Sequence, residues 1–429
     1  GLAARRSLLE AGIAAGRRAI PLSFPPLTKT ADIRDRLEPR QLMLSFRWDA
    51  TGLVAMLESR ERFATWQVRQ AAGLPAEIVA LAKALCLFDA DAPVVAARLA
   101  EGDWQASAER IERMIFENSR VTLAEGVDEL VIVPDGWLWY VPFEMLPIGT
   151  GAGGAEDPHG PALGPPRLRD RCRIRYAPTR SLAVVQRDDR GAGFVGVHAG
   201  RMWRGDKPDA AATVAGLRAA MPKAALAPHG AAATVPESLA AAACDTLLVL
   251  DAIPATGPVS AWPLVPAAGG KGSATTFADW LAAPVKRPRV VMLPGMATAM
   301  ADGLVKPPQR PGEEIFVAAT DLVAAGAETA LLARWRMGGK ACSDLMTEFL
   351  RDTQGAAGRP AAVAWQRAVD VVRAEPPDAL REPRIRDAAA PLGSPLHPIF
   401  WAGYLLIDCS ATTRAEPNAE PRAAAQGGP

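Results

Sequence analysis

Five cysteines (Cys86, Cys172, Cys244, Cys342, Cys409) and four histidines (His159, His198, His229, His397) are the residues of this 429-residue sequence best suited to covalent or acid–base chemistry. A thiolate is a strong nucleophile, and an imidazole beside it can take its proton and hand it to a leaving group. The spacings assemble no such pair locally. No histidine falls between His229 and His397, and no cysteine between Cys244 and Cys342. There is no C-x-x-C and the cysteine count is odd, so neither a zinc ribbon nor a disulfide framework is expected. Small buried apolar positions are the plainer role for each thiol. The sequence also holds no G-x-S-x-G and no H-E-x-x-H. Gly269-Gly-Lys-Gly-Ser273 looks like part of a phosphate loop, yet Val265 stands where the first glycine would be. Gly151-Ala-Gly-Gly154 opens no helical pattern, so no dinucleotide site follows from it. Asp and Glu do not gather as metal ligands. No cofactor and no metal is expected.

The elements that must position any site fall into two patterns. Near the start, Gln41–Trp48, Leu53–Leu57 and Arg62–Val68 alternate like strands, with turn chemistry at Asp49-Ala-Thr-Gly52, and predict an antiparallel meander. Residues 3–18 carry an apolar stripe at helical spacing, and helices are expected at Pro75–Leu85 and Trp104–Phe116. From Leu130 the pattern changes. Strands at Leu130–Val133, Phe194–Val197, Thr246–Leu250, Arg289–Leu293, Thr329–Trp335 and Phe400–Ile407 alternate with helices at Ala211–Met221, Thr275–Ala283, Glu313–Ala325, Ala341–Arg351 and Pro360–Arg373. Fully apolar strands alternating with helices imply an α/β fold with a mostly parallel sheet covered on both faces. Around Pro134-Asp-Gly136 the expectation is a hairpin, with Trp137–Val141 as its second strand.

Open parallel sheets place their sites at the carboxyl ends of the strands. The polar residues expected there are Asp251, Thr298, Arg334 and Arg336, with Glu313 and Glu314 opening the following helix. These could form an acidic–basic cluster that holds a small acidic or peptide ligand, or a salt-bridge network in an empty cleft. Cys244 stands at the opposite end of its strand, Cys342 begins a helix, and His397 precedes Pro398 as a turn anchor.

Composition narrows the partners. The 48 basic and 47 acidic residues give a net charge of +1, with no long-range pull toward nucleic acid or an anionic membrane. No apolar run reaches the length of a bilayer span. Compartment is left open, with the cytoplasm favoured. The first residue is Gly, which points to a processed or excised start. The Gly- and Pro-rich stretch Gly149–Pro166 is expected to be a surface excursion, and residues 411–429 a disordered tail.

Four phrases together resemble the CHAT domain, a caspase-like peptidase family. Glu129-Leu-Val-Ile-Val-Pro-Asp-Gly-Trp-Leu-Trp-Tyr-Val-Pro-Phe-Glu-Met-Leu-Pro147 resembles the family's opening "VPDGxLxYLPFEAL". Arg173-Ile-Arg-Tyr-Ala-Pro-Thr-Arg-Ser-Leu182 is similar to "YxPSxxxL". Gly326-Ala-Glu-Thr-Ala-Leu-Leu-Ala-Arg-Trp335 is similar to "AGAxxVVAxLW". His397-Pro-Ile-Phe-Trp-Ala-Gly-Tyr-Leu-Leu-Ile407 is similar to "HPxYWAxFxLxG". They stand in the right order and cover roughly residues 40 to 408. Gly312-Glu-Glu-Ile-Phe316 and Ala333-Arg-Trp-Arg-Met-Gly-Gly339 are closest to a divergent, planctomycete-like bacterial branch.

The resemblance implies a caspase-like sheet and a Cys–His dyad, and the dyad positions are altered. The family's "DxLHxAxHG" segment corresponds to Asp245-Thr-Leu-Leu-Val-Leu-Asp-Ala-Ile-Pro254, where the second His falls on Ala252, or on Ile253 after a slip of one. Its "VVLSACxTG" corresponds to Val290-Val-Met-Leu-Pro-Gly-Met-Ala-Thr-Ala299, where the Cys falls on Met296, a thioether that cannot ionise. The expected arrangement is an N-terminal part over residues 1–125, a caspase-like domain over 126–410 and a tail over 411–429. The function expected is an inactive, pseudo-peptidase scaffold that binds a protein or peptide, the C-terminal part of something longer with helical repeats upstream. The alternative is an active cysteine peptidase with a displaced nucleophile, Cys244 or Cys342.

Overall fold

The computed structural model describes residues 27–88, 93–117, 119, 126–148, 166–184, 195–199, 210–221, 226–230, 244–254, 263–265, 275–276, 278, 288–354, 358–375, 377–382, 384–386 and 397–409. The expected helix over 3–18, nearly all of the 149–166 excursion, the two glycine-rich loops, His159 and the 411–429 tail lie outside them.

The first part of the chain runs α1 (Thr30–Asp35), β1 (Gln41–Asp49), β2 (Gly52–Glu58), β3 (Phe63–Val68), α2 (Leu74–Ala84), β4 (Val94–Val95) and α3 (Asp103–Phe116). Then come β5 (Glu129–Val133), α4 (Leu168–Arg171), β6 (Arg173–Tyr176), β7 (Val195–Ala199), α5 (Ala210–Ala220), β8 (Leu226–Gly230), β9 (Thr246–Leu250) and β10 (Ile253–Pro254). Next are β11 (Pro263–Val265), β12 (Thr275–Thr276), β13 (Val290–Leu293), β14 (Met296–Ala297), α6 (Glu313–Ala324) and β15 (Thr329–Ala333). The last elements are α7 (Gly339–Gln354), α8 (Ala361–Ala374), β16 (Ile385–Arg386) and β17 (Tyr404–Asp408).

Eleven strands form one sheet in the order β3-β2-β1-β5-β6-β17-β15-β13-β9-β7-β8. Strands β15, β13, β9, β7 and β8 are mutually parallel. So are β17, β6, β5 and β1. The two sets meet head to tail at the antiparallel pair β15·β17, with Thr329 opposite Asp408 and Ala333 opposite Tyr404. The expected meander is present as β1–β3. It is continuous with the parallel strands, because β1 pairs with β5 from Gln41↔Glu129 to Ser45↔Val133.

Alternation explains why the central strands are apolar throughout. On β1 and β5, Leu44, Leu130 and Ile132 enter the main core, while Met43, Val131 and Val133 face a smaller cluster with Ile33, Leu37, Ala177, Ala183 and Val184. Successive side chains point to opposite faces, so a strand covered on both sides needs apolar residues at every position.

Two local expectations are corrected. Gly136–Tyr140 is a 3₁₀ turn, not the second strand of a hairpin. Tertiary bonds hold it: the Asp135 carboxylate accepts from the Trp48 N–H at 2.7 Å, and the Trp139 and Val141 carbonyls accept from the Arg334 guanidinium. The helix expected from Thr275 instead begins with an extended pair, Thr275–Thr276, antiparallel to Pro263–Val265. Threonines are β-branched and join a neighbouring strand where one is offered.

Candidate functional site

The loops that leave β9 and β13 carry Ala252, Ile253 and Met296, and they are joined to each other by backbone pairing. Ile253 and Met296 are register partners in the short parallel pair β10·β14. The Ile253 N–H donates to the Gly295 carbonyl at 2.9 Å. The approach is so close that a Cβ on Gly295 would lie 1.6 Å from the Asp251 carbonyl oxygen. Ile253 and Met296 are both fully buried, and Ala252 is half-buried. Two apolar side chains and a zipped backbone therefore close the space between these two loops. Neither an isoleucine nor a thioether can exchange a proton or attack a carbonyl.

The polar residues singled out in the sequence turn inward or away. Asp251 is buried at the end of β9, and its Oδ1 accepts from the Ala252 N–H at 2.8 Å. The Thr298 hydroxyl donates to the Arg334 carbonyl at 2.7 Å and accepts from the Met300 N–H at 3.2 Å, capping the 3₁₀ turn Ala299–Asp302. Arg334 is fully buried. Its guanidinium donates to the carbonyls of Trp139 (3.0 Å), Val141 (2.9 Å), Ala402 (3.3 Å) and Tyr404 (3.4 Å), and it sits 5.1 Å from the Tyr176 ring centre. Glu313 is half-exposed and pairs with Arg310 at 2.9 Å, while Arg336 is half-buried. Thr298 and Arg334 are thus brought together, and Glu313 points away from them to the surface.

A buried network that the sequence reading did not name ties the opening motif to this end of the sheet. The Tyr140 hydroxyl donates to Glu314 Oε1 at 2.6 Å and accepts from the Gly312 N–H at 3.0 Å. Gly312 has φ 74°, and a Cβ there would meet the Gly136 carbonyl oxygen at 2.4 Å, so only glycine fits. Burial raises the pKa of Glu314, against the pull of the Tyr140 hydrogen bond. The Tyr176 hydroxyl donates to Glu144 Oε2 at 2.7 Å, and burial raises Glu144 as well. The signal for this network was the density of Tyr, Trp and Glu in the opening motif. Tyr and Trp find hydrogen-bond partners when buried.

None of the five cysteines is in a disulfide, and all are buried. Burial pushes the thiols of Cys172 and Cys342 up to about 12, so neither supplies thiolate near neutral pH. Cys244 precedes β9, at the end opposite Asp251. His397 is the turn anchor expected of it: its Nδ1 accepts from the Ile399 N–H at 3.3 Å and caps the 3₁₀ turn Pro398–Phe400, with its ring against Trp104. His198 and His229 are register partners on β7 and β8, the first and second strands beyond β9. Among the described residues no helix is long and apolar enough to cross a membrane.

Two buried groups set a pH window for stability. Burial, aided by Asp344, pushes the Glu382 carboxyl from its usual 4.5 up to about 8. The unfolded chain ionises first, so stability falls as pH rises from about 4.5 to about 8. Burial, and then the Arg167 charge, pull His397 from 6.5 down to about 4. Stability is therefore also lost as pH falls through that range. Glu382→Gln keeps the acceptor for the Ala341 N–H, which now donates to Glu382 Oε1 at 2.8 Å. It is expected to raise stability by about 3 kcal/mol at pH 7 and by nothing below pH ~4.5. Urea unfolding of both proteins at a series of pH values checks this, and an equal gain at all pH values would refute it.

The comparisons agree with this architecture. No curated protein matches the chain. The model of the CHAT domain matches residues 105–408, well over half of the chain. Eight of the eleven strands of the sheet, the motif-bearing 3₁₀ turn and the two loops after β9 and β13 fall within that match, β1–β3 precede it, and the chain belongs to the CHAT domain family.

Proposed function

We propose that this chain is a catalytically inactive member of its peptidase-related family and works as a binding or scaffold module for a protein or peptide partner. The observation that carries the reading is the pairing of Ile253 with Met296, both buried, at the ends of the two strands from which the family's dyad would be presented. A peptidase needs an ionisable nucleophile and a base within hydrogen-bond reach of each other. Apolar side chains and a closed backbone ladder offer neither group and leave no slot between the loops. The inert thiol of Cys342 and the capping role of His397 support the same reading.

Incubation of the purified chain with a broad peptide library, beside Cys244→Ala and Cys342→Ala, tests it by mass spectrometry. The expected result is no cleavage by any of the three proteins. Cleavage by the parent chain that one substitution abolishes would overturn the proposal and name the nucleophile.

A further inference from the structure

Strand β3 ends the eleven-stranded sheet, and among the described residues its one partner strand is β2. Their pairing runs without a shift from Leu53↔Val68 to Glu58↔Phe63. The next pair toward the turn, Ser59 and Arg62, is hydrogen-bonded, the Ser59 N–H donating to the Arg62 carbonyl at 2.8 Å. Bonded and open pairs alternate along an antiparallel ladder, so Ala64, Trp66 and Val68 point their backbone groups at β2. Phe63, Thr65 and Gln67 turn theirs outward, and no hydrogen bond among the described residues uses those groups.

Free edges are normally blunted by a lysine, a proline, a bulge or shortness, because they template pairing with another chain. The sheet's other edge follows that rule: β8 holds Pro228, which has no N–H to offer. The run Phe63-Ala-Thr-Trp-Gln-Val68 does not. It is six residues long, carries no charge and no proline, and is rich in strand-favouring types. Trp66 and Val68 anchor one face in the core, with the Trp66 Nε1–H donating to the Ile115 carbonyl at 2.8 Å. Phe63, Thr65 and Gln67 are exposed on the other face, Phe63 at 63%. The strand is thus held from one face and open along its side.

The edge is complementary to itself. Set antiparallel about a two-fold axis at Thr65, two copies place Phe63 opposite Gln67, Thr65 opposite Thr65 and Gln67 opposite Phe63. All are outward-facing residues, so each pair exchanges both of its backbone bonds. A slip of one residue puts the outward groups out of phase, and a slip of two leaves fewer such pairs. The charges agree with the same register. Those flanking the strand are Arg60, Glu61 and Arg62 before it and Arg69 after it. Glu61 falls opposite the second copy's Arg69, while Arg60 and Arg62 fall opposite the uncharged Gln70 and Val68. Glu61 and Arg69 are exposed, and neither enters an ion pair among the described residues. The Phe63 ring would lie beside the Gln67 stem, and the two Thr65 hydroxyls beside each other, pairings that stabilise sheets.

We propose that this chain self-associates through β3, two copies joining edge to edge in antiparallel register about Thr65 so that their sheets run on as one. The proposal goes beyond the binding reading and is independent of it, since β1–β3 precede the family-matched residues and β3 lies far across the sheet from β9 and β13. One ladder with its flanking side chains is a small interface, so the dimer forms and parts with concentration.

Sedimentation velocity of the purified chain over a wide range of concentration tests it. The expected result is a monomer that becomes a dimer as concentration rises. The amides of Phe63, Thr65 and Gln67 are expected to gain protection from hydrogen exchange in the dimer, while those of Ala64, Trp66 and Val68 are protected in both forms. Thr65→Pro removes an outward N–H and no bond to β2, and Thr65→Lys sets two like charges face to face. Each is expected to raise the dissociation constant about tenfold or more, with the urea midpoint close to that of the parent chain. Glu61→Arg alone is expected to weaken the dimer by up to about fivefold, and Glu61→Arg with Arg69→Glu to restore it. A chain that stays monomeric, a dimer untouched by either Thr65 variant, a dimer without the alternating protection, or a double swap no tighter than Glu61→Arg would each overturn the pairing. Protection of the three outward amides already in the monomer would overturn it too, because the edge would then be covered by another segment of the same chain.

Discussion

Gly295→Ala is expected to leave the chain largely unfolded or to cost more than about 3 kcal/mol, the upper end of what overpacking normally costs. The added Cβ would lie 1.6 Å from the Asp251 carbonyl oxygen and 2.6 Å from its carbon. Both are backbone atoms, so no side-chain rotamer can relieve the overlap. The loops after β9 and β13 would have to part. That parting breaks the bond from the Ile253 N–H to the Gly295 carbonyl and exposes Ile253 and Met296 to water. A suitable control is Gly102→Ala, where the new Cβ would meet Gln105 Oε1 at an ordinary 3.5 Å and the cost is expected to stay near or below ~1 kcal/mol. Soluble yield and chemical unfolding of the two variants give the comparison. A Gly295→Ala chain as stable as the parent would mean that the loops are not closed on each other, and would reopen a slot there for substrate.

Arg334→Met is expected to destabilise the chain by about 3 to 5 kcal/mol. The guanidinium is fully buried and serves four carbonyls, two from the opening-motif turn and two from the approach to and start of β17. Methionine matches part of the volume but leaves those acceptors without a donor, each at the cost of a desolvated polar group. Lysine would rescue only in part, since a single ammonium cannot reach in the planar fork that serves four acceptors. The contrast is Arg310→Met. Arg310 is 78% exposed and its ion pair with Glu313 is solvent-screened, so a loss within ~0.5 kcal/mol is expected. Urea unfolding of the three variants reads these differences. If Arg334→Met unfolded like the parent chain, the Arg334 side chain would be a ligand-binding group and not the tie between the motif and the sheet.

The sequence made much of the architecture legible. The strands Thr246–Leu250, Val290–Leu293 and Thr329–Ala333 were visible as nearly unbroken apolar runs, because a strand buried on both faces accepts a polar residue only where its hydrogen bonds are met, as at Thr246 and Thr329. Helices α2, α6, α7 and α8 were visible through their apolar spacing, with Pro75 in the first turn of α2. The 3₁₀ turn at Gly136–Tyr140 was not. Its run of Trp, Leu and Tyr carries strand propensity, and the bonds that override that propensity come from residues far along the chain. In the loops after β9 and β13 the sequence showed which side chains carry no acid–base or nucleophilic chemistry. Met296 cannot be a nucleophile in any fold, and Ala252 cannot be a base. The inward turn of Arg334 was not legible, since an arginine after an apolar strand suits a cleft as well as a carbonyl cage.

By itself, then, the amino-acid sequence determined the class of fold, the order of its main strands and helices and the family motifs. Those are properties of residue type and near spacing, and side-chain chemistry and periodicity are set before the chain folds. The tertiary structure alone decided that the two loops are zipped through Gly295, that the opening motif is a turn anchored by Tyr140 on Glu314, 174 residues away, and that Arg334 reaches Trp139 across 195 residues. Contacts across such separations carry no local signature, because which groups satisfy a buried donor or close an approach of backbones depends on the packing of the whole sheet.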